Sequence, residues 1–265
     1  MDKVTLVIGD PHTGVEDTTR ERFGALGRFI VETKPDNIVQ LGDFMTYDSI
    51  SSHNASKKLT MEGQRLSEEL RYGKKAYDEL MAPIHEENDR LRKNKAALYK
   101  PASFWIEGNH EDRALRYCEE HPEMFGLVDY KHTFDPREDG WHVVPYREHC
   151  MAEGVVFTHA PMNGNNHPIA SKHVVKNVLA HYDCSIVFGH IHKLAYECEG
   201  KMTPMGPKRV TSLSAGCFFD HMPDYAAGSG NSRDWWSGVC VLHKTDEGLY
   251  DLETISLSVL MKTYA

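Results

Sequence analysis

The sequence predicts an α/β fold in four layers: two stacked β-sheets with helices on the outside, an α/β/β/α sandwich. Five short runs rich in Val and Ile each end in Gly or an ionisable residue, which is typical of buried strands. Segments with helical spacing of apolar residues lie between these runs, and further strand-like segments follow near the C-terminus. The chain has 265 residues, and we expect one domain over residues 1–265.

The first third of the chain alternates strand and helix patterns. The runs "KVTLVIGD" and "DNIVQLGD" predict two strands. Between them, "VEDTTRERFGALGRFIVETKPD" carries Phe23, Leu26, Phe29 and Ile30 at helical spacing, with a Pro just past its end. A strand, a helix and a strand in this order predict a parallel pair joined by a right-handed crossover.

Residues 45–100 predict a helical insertion between the second and third strands. The segment is polar, and Leu66, Leu70 and Leu80 lie at approximate helical spacing. Pro83 predicts a break, because proline lacks the N–H that a helix interior uses. We therefore expect two helices in this insertion, arranged as a hairpin.

The remaining elements alternate in the same way. The runs "ASFWIEGNH", "GVVFTHA" and "SIVFGH" predict three more buried strands, and "IASKHVVKNVLAHY" predicts a helix. The segments "RVTSLSAG", "SGVCVLHK" and "LYDLETIS" predict strands, the last two as a hairpin.

The composition disfavours several classes of protein. The N-terminal apolar run stops at Asp10, too short for a secretion signal, and no later segment approaches the length of a membrane span. We therefore expect a cytoplasmic protein without a membrane partner. The six cysteines form no C-x-x-C pair, which argues against a structural zinc site. A net charge of −9 disfavours a protein that coats nucleic acid, although residues 90–100 hold five basic residues and no acid.

Polar side chains follow five successive predicted strands. Since strand ends in α/β sheets meet at one edge, we expect these side chains to converge there. In an extended backbone, His190 and His192 would also point the same way. The residues of this series are Asp10, His12, Asp43, Asn109, His110, Glu111, His159, His190 and His192.

In chain order the motifs read D-x-H, G-D, G-N-H-E, H and G-H-x-H, and this series resembles the signature of the calcineurin-like metallophosphoesterase family over roughly residues 4–195. The resemblance implies that family's sandwich fold and a hydrolase that uses hydroxide activated by two divalent metals. It implies one metal on Asp10, His12 and His192, another on Asn109, His159 and His190, and Asp43 as the bridge. Nitrogen and oxygen donors suit Mn, our first choice, and also Fe, Zn or Ni.

The resemblance further implies a catalytic role for His110, which either protonates the leaving alkoxide or stabilises the transition state. Glu111, beside it in the sequence, is a candidate to orient the imidazole. Asp48 and His53 are alternative partners for His110.

Three residues are candidates for substrate contacts: Arg113 at a predicted helix start, His53 after the Asp43 motif, and His221 in "CFFDHMPDY". The alternative for Arg113 is an ion pair within its own helix. Trp235 and Trp236 could line a pocket able to stack a ring, although core packing is the more frequent fate of Trp.

The substrate class is suggested by a departure from one branch of the family. Ser/Thr protein phosphatases carry G-D-x-x-D-R-G, whereas "GDFMTYDSI" places Thr46 and Tyr47 at the Asp and Arg positions. We therefore favour a phosphodiester, of a nucleotide or nucleic acid, over a phosphoprotein. The alternatives are a DNA or RNA nuclease of the repair type, a phosphomonoesterase, and a metal-free interaction scaffold. The C-terminal stretch is similar to that of some small phage- and prophage-encoded members.

Overall fold

The computed structural model describes residues 3–14, 21–52, 61–203, 206–221, 230–246 and 248–265. The strands, in chain order, are β1 (Val4–Ile8), β2 (Asn37–Gln40), β3 (Ala102–Ile106), β4 (His142–Val144), β5 (Cys150–Ala152), β6 (Val155–Thr158), β7 (Ile186–Phe188), β8 (Leu194–Thr203), β9 (Gly206–Ala215), β10 (Gly238–Asp246) and β11 (Leu249–Ser256). The named helices of these ranges are α1 (Glu21–Thr33), α2 (Leu66–Lys93), α3 (Glu111–Glu120), α4 (Val174–His181) and α5 (Leu257–Tyr264).

The strands form two sheets. The first has the order β11-β10-β1-β2-β3-β4, with parallel pairs from β1 to β4 and an antiparallel hairpin of β10 and β11 at the other edge. The second has the order β5-β6-β7-β9-β8, in which β6, β7 and β9 are parallel. The five predicted buried strands and the C-terminal hairpin are confirmed.

Alternation of side chains along the strands builds the four layers. In β1, Leu6 and Ile8 pack in a cluster with α1, α2 and α5, whereas Val7 belongs to the cluster between the two sheets. In β7, Val187 faces the same inter-sheet cluster, whereas Ile186 and Phe188 pack with α4. The order is therefore helices, sheet, sheet, helix, and the predicted α/β/β/α sandwich is confirmed.

The helical segment between β2 and β3 differs from the prediction. Pro83 lies inside α2, a single helix of 28 residues, so the predicted break is wrong. Gly27 of α1 lies so close that a Cβ added there would be 2.9 Å from Cγ of Pro83. Packing against α1 thus favours the uninterrupted helix over the local cost of the proline.

Three strands and the last helix were not predicted. They are β4, β5, β8 and α5. The strands β4 and β5 contain three residues each, too few to show a period of two. Among the helices described, none combines the length and the apolar character needed to span a membrane.

Candidate metal centre

The five polar motifs meet at one edge of the two sheets. His159, at the end of β6, donates from Nδ1 to the Leu41 carbonyl oxygen after β2, at 2.9 Å. The amide of His190, after β7, donates to Oδ2 of Asp10, after β1, at 2.8 Å. These cross-sheet bonds bring the strand ends into contact, as expected for an α/β sheet edge.

The backbone at this edge is strained. His12, Asp43, His190 and His192 have φ values of 46°, 50°, 66° and 61°. Residues with side chains rarely adopt this left-handed region, and such strain is concentrated at functional sites. The backbone at His190 and His192 is therefore not extended, and the two imidazoles join different clusters.

The first cluster contains Asp10, His12 and His192, all buried. Nε2 of His192 lies 3.1 Å from Nε2 of His12 and 3.1 Å from Oδ2 of Asp10. Oδ1 of Asp10 is buried and accepts no hydrogen bond from the described residues. A buried carboxylate oxygen beside two imidazole nitrogens suits a divalent cation, which would supply the missing partner.

The second cluster contains Asp43, His159 and His190, and Asn109 contacts it through His159. Because Nδ1 of His159 donates to Leu41, Nε2 of the neutral ring carries a lone pair. That nitrogen lies 2.9 Å from Oδ1 of Asn109 and 3.4 Å from Oδ2 of Asp43. A nitrogen lone pair and two oxygens that converge in a buried site fit a bound cation.

Asp43 lies between the two clusters. Its Oδ2 is 3.4 Å, 3.7 Å and 3.8 Å from the Nε2 atoms of His159, His12 and His110. Its Oδ1 accepts a hydrogen bond from the His110 amide at 2.8 Å. A carboxylate in this position could contact a cation in either cluster, which is the geometry required of a bridge.

In the metal-free site an ionised Asp43 faces a protonated His159. Burial alone would raise the pKa of Asp43, but the imidazoles of His110 and His159 hold it well below its usual range. Burial alone would lower the pKa of His159, but the Asp43 carboxylate raises it to about 9. In the metal-free protein a proton on His159 thus supplies charge that a metal would supply when bound.

Two glycines allow the loops that carry the candidate ligands, here called the ligand loops, to approach one another. A Cβ added at Gly108 would overlap Oδ1 of Asp43, and one added at Gly189 would overlap Oδ1 of Asp10. The glycine before each motif is therefore required by contact with a carboxylate.

Glu111 joins the loops through their backbones. Its Oε2 accepts from the amides of Gly108 at 2.7 Å and Asp43 at 3.0 Å, and its Oε1 accepts from the amide of Met45 at 2.8 Å. Burial and the nearby Asp43 raise the pKa of this carboxyl, and the three amide hydrogen bonds favour its ionised form. The structure thus places this carboxylate under the ligand loops, a different position from the expected one against the imidazole of His110.

Other groups contact both nitrogens of the His110 ring. Nδ1 donates to the Thr46 carbonyl oxygen at 2.7 Å, and Nη2 of Arg113 donates to Nε2 at 3.0 Å. Nη1 of Arg113 also donates to Thr46 O at 2.7 Å and to Oδ1 of Asp48 at 2.8 Å. Burial, with a smaller contribution from Arg113, lowers the pKa of His110 to about 3, although Asp43 opposes this shift.

Arg113 and Asp48 lie near His110, but their contacts differ from those expected from the sequence. Arg113 contacts the loop that follows Asp43, which neither expectation for it had included. Asp48 is brought to His110 through this guanidinium. His53 lies outside the described residues.

An aromatic wall, formed by Phe219 and Trp235, adjoins the first cluster. The Phe219 ring centroid is 5.3 Å from those of His12 and His192, and the Trp235 centroid is 4.7 Å from that of His192. The ring centroid of His221 is 5.3 Å from that of Phe219, so Phe219 lies between this candidate and the first cluster. Trp236 instead packs against the inter-sheet core.

Two residues near the site were not predicted from the sequence. The Tyr146 ring centroid lies 5.9 Å from that of His159, and Tyr146 follows β4. Recognition of β4 as the next parallel strand would have placed Tyr146 at the same edge. Glu69 of α2, which bonds the loop carrying Thr46, shows no local signal.

The basic stretch 90–100 lies away from this edge. It precedes β3, whereas Asn109 follows that strand. Arg90 donates to Glu87 at 2.7 Å, and Arg92 pairs with Asp89. Both arginines are thus engaged by acids of their own helix.

Comparison with known proteins identifies a family whose matched region contains this site. The family model of the calcineurin-like phosphoesterases matches residues 4–194. The Gene 54 protein of Mycobacterium phage D29 is 27% identical over 200 residues, 73% of this chain and 70% of the phage protein. The Gene 54 protein of Mycobacterium phage L5 is 24% identical over 248 residues, 91% of this chain and 89% of the phage protein.

A solved structure, the crystal structure of TT1561 of Thermus thermophilus, aligns over 97% of this chain and 100% of that one, with 10% identity and a TM-score of 0.37. That level of similarity supports no conclusion about function. The family match covers most of the chain, including every motif in the metal centre. The chain therefore belongs to the calcineurin-like phosphoesterases, and it is a metal-dependent phosphoester hydrolase.

Proposed function

We propose that this chain is a phosphodiesterase that acts on a nucleotide or nucleic acid, with two divalent metals held by the residues of the two clusters. The first metal is assigned to Asp10, His12 and His192, the second to Asn109, His159 and His190, and Asp43 is assigned to both. Bound in pairs, such metals polarise a phosphoryl oxygen and make a water molecule nucleophilic at neutral pH.

The engagement of Arg113 carries the preference for a diester. A phosphomonoester brings two negative charges at neutral pH, whereas a diester brings one, so a monoesterase gains more from free guanidinium groups at its site. Here Nη1 of Arg113 is shared between Thr46 and Asp48, and Nη2 contacts His110. These contacts engage three of its five N–H groups, so the guanidinium is only partly available to phosphate oxygens.

The loop after Asp43 supports the same preference. Tyr47 occupies the position of the phosphate-holding Arg of the protein phosphatases, yet it is fully buried. Its hydroxyl donates to the Val128 carbonyl at 3.1 Å and accepts from the Tyr130 amide at 2.8 Å. This side chain stabilises the interior of the protein and offers nothing to a substrate.

Of the two roles open to His110, the contacts favour stabilisation of the transition state. The ring bears its proton on Nδ1, directed at Thr46, while Nε2 accepts from Arg113. In this tautomer Nε2 has no proton to give to the leaving oxygen. We assign to His110 and Arg113 together the stabilisation of negative charge on that oxygen, with His110 aiming the guanidinium.

Manganese is the metal that we propose. The donors of the clusters are imidazole nitrogens and carboxylate oxygens, with the Asn109 amide oxygen adjacent. Such donors suit Mn²⁺, and Fe, Zn and Ni remain alternatives within the same set.

The test is hydrolysis of bis-p-nitrophenyl phosphate and p-nitrophenyl phosphate by protein loaded with Mn²⁺, using wild type, Asp43→Ala and Arg113→Lys. We expect the diester to be the better substrate, with turnover lost in Asp43→Ala and reduced in Arg113→Lys. Turnover of the monoester alone would overturn the diesterase assignment. If the diester is the better substrate, the same preparations are tested on single-stranded DNA and on cyclic nucleotides. Cleavage of the DNA would identify nucleic acid as the substrate class, whereas cleavage of cyclic nucleotides alone would identify nucleotides.

A further inference from the structure

Glu69 lies under the loop of residues 46–49 and is nearly excluded from solvent, with 2% exposure. Its Oε1 accepts from the amides of Asp48 at 2.7 Å and Ser49 at 3.2 Å, and from the hydroxyl of Thr46 at 3.3 Å. Its Oε2 accepts from the hydroxyl of Ser49. One carboxylate in the first turn of α2 thus accepts from two amides and two hydroxyls of this loop.

The loop needs such support because its backbone is strained. Tyr47 has a φ of 49°, in the left-handed region that a bulky aromatic residue rarely adopts. The Tyr47 hydroxyl is fixed by Val128 and Tyr130 on one side. Glu69 fixes the backbone on the other side, at Asp48 and Ser49.

The same loop places the partners of His110. The Thr46 carbonyl accepts from Nδ1 of His110, and the Asp48 carboxylate accepts from Arg113, which itself contacts Nε2 of His110. The imidazole ring is therefore oriented through both of its nitrogens, by groups whose positions depend on residues 46–49.

We propose that Glu69 is a positioning residue for the pair of His110 and Arg113, and that α2, the helix between β2 and β3, thereby sets the geometry of catalysis at the leaving group. The proposal rests on the role given to this pair under the proposed function. It predicts that loss of Glu69 impairs departure of the leaving group and leaves the metal clusters intact, because Glu69 bonds only to the loop in the contacts described above.

The chemistry at the leaving group gives a selective readout. During hydrolysis, a bond forms between phosphorus and the water oxygen while the bond to the leaving oxygen breaks; the water proton passes to solvent. A basic leaving group such as phenolate needs its charge stabilised more than p-nitrophenolate does. A misplaced His110 and Arg113 should therefore slow diphenyl phosphate more than bis-p-nitrophenyl phosphate.

The variant is Glu69→Gln, which keeps the size of the side chain and replaces one accepting oxygen with a donor. The matched control is Glu68→Gln, a half-buried neighbour that pairs with Arg71. We expect kcat on diphenyl phosphate to fall about 10-fold to 100-fold in Glu69→Gln, with a smaller loss on bis-p-nitrophenyl phosphate. Bound metal should stay at the wild-type ratio, and the control should match wild type.

A double-mutant comparison separates positioning from general damage. In an Arg113→Ala background, Glu69→Gln should add little further loss on diphenyl phosphate, because the group that it positions is already missing. Equal losses on both diesters, additive losses with Arg113→Ala, or loss of metal would overturn the proposal.

A readout independent of activity completes the test. The ¹⁵N spectrum of histidine-labelled protein reports which ring nitrogen of His110 is protonated. We expect the Nδ1-protonated form in wild type and a mixture in Glu69→Gln, and an unchanged spectrum would contradict the proposal. Wild type without diesterase activity would refute the proposed function, and this spectrum would still decide the role of Glu69.

Discussion

The Glu111 carboxylate accepts a hydrogen bond from the backbone amide of Asp43 at 3.0 Å, and with its remaining lone pairs it binds the amides of Gly108 and Met45. One side chain of α3 thus fixes the loop that follows β2 and the loop that follows β3. The central carboxylate of the candidate metal site is held by a second carboxylate that lies beneath it.

Replacement of Glu111 by Gln should weaken metal binding and lower stability together. The new amide nitrogen would face a backbone N–H, and a buried donor left unsatisfied costs about 1–3 kcal/mol. Thermal unfolding and titration with Mn²⁺ measure the two effects. Glu119→Gln, on the exposed side of the same helix, is the control and should behave as wild type. Unchanged metal affinity in Glu111→Gln would contradict the role given to this residue.

Replacement of Gly108 by Ala should remove most of the activity. The added methyl group would overlap Oδ1 of Asp43, so the carboxylate must shift. A displacement of about 1 Å at a catalytic group can cost about 100-fold in rate. The control is Gly164→Ala, because a Cβ at Gly164 meets no atom within 4 Å. Wild-type turnover by Gly108→Ala would show that the loops have more freedom than the contacts imply.

Removal of metal should destabilise the protein. A ligand present at 100 times its Kd stabilises the native state by about 2.7 kcal/mol. For a protein of this size that corresponds to a Tm change of several degrees, about 2–4 °C per kcal/mol. Scanning calorimetry after chelation and after return of Mn²⁺ should show the loss and its recovery. A Tm indifferent to metal, in protein that retains its fold, would count against metal binding by the native state.

Neutralisation of Lys93 and Lys95 should leave diester hydrolysis within about twofold of wild type. Both residues are exposed and belong to the basic stretch at the start of β3, away from the edge that carries Asn109. Exposed charges at a distance contribute little once salt screens them. A salt-dependent loss of DNA binding in the Lys93→Gln, Lys95→Gln variant would instead favour the nuclease alternative.

Much of the site could be predicted from the sequence because its signals are local. A short apolar strand followed by Gly and a polar residue is visible within a few positions, and Asp10, Asp43 and His190 each show this pattern. The parallel pairing of β1, β2 and β3, and of β6 with β7, then carries these residues to a common edge.

The parts that could not be predicted depend on contacts distant in sequence. Glu69 acts on a loop about 20 residues earlier, and nothing near it marks it as different from the acids around it. Pro83 argued for a break in α2, but packing against Gly27 outweighed that local preference. Arg113 faces His110 and Asp48 because a strained turn at Tyr47 brings that loop back to the helix, a geometry that spacing alone does not reveal.

We propose above that Asp43 lies between two metal ions. The most direct measurement is anomalous X-ray scattering from crystals grown with Mn²⁺, with Asp43→Ala as the comparison. We predict two anomalous peaks about 3.5–4 Å apart, one beside Asp10 and His192 and the other beside His159 and His190, and loss of at least one peak in the variant. A single peak, or peaks that do not flank Asp43, would contradict the claim.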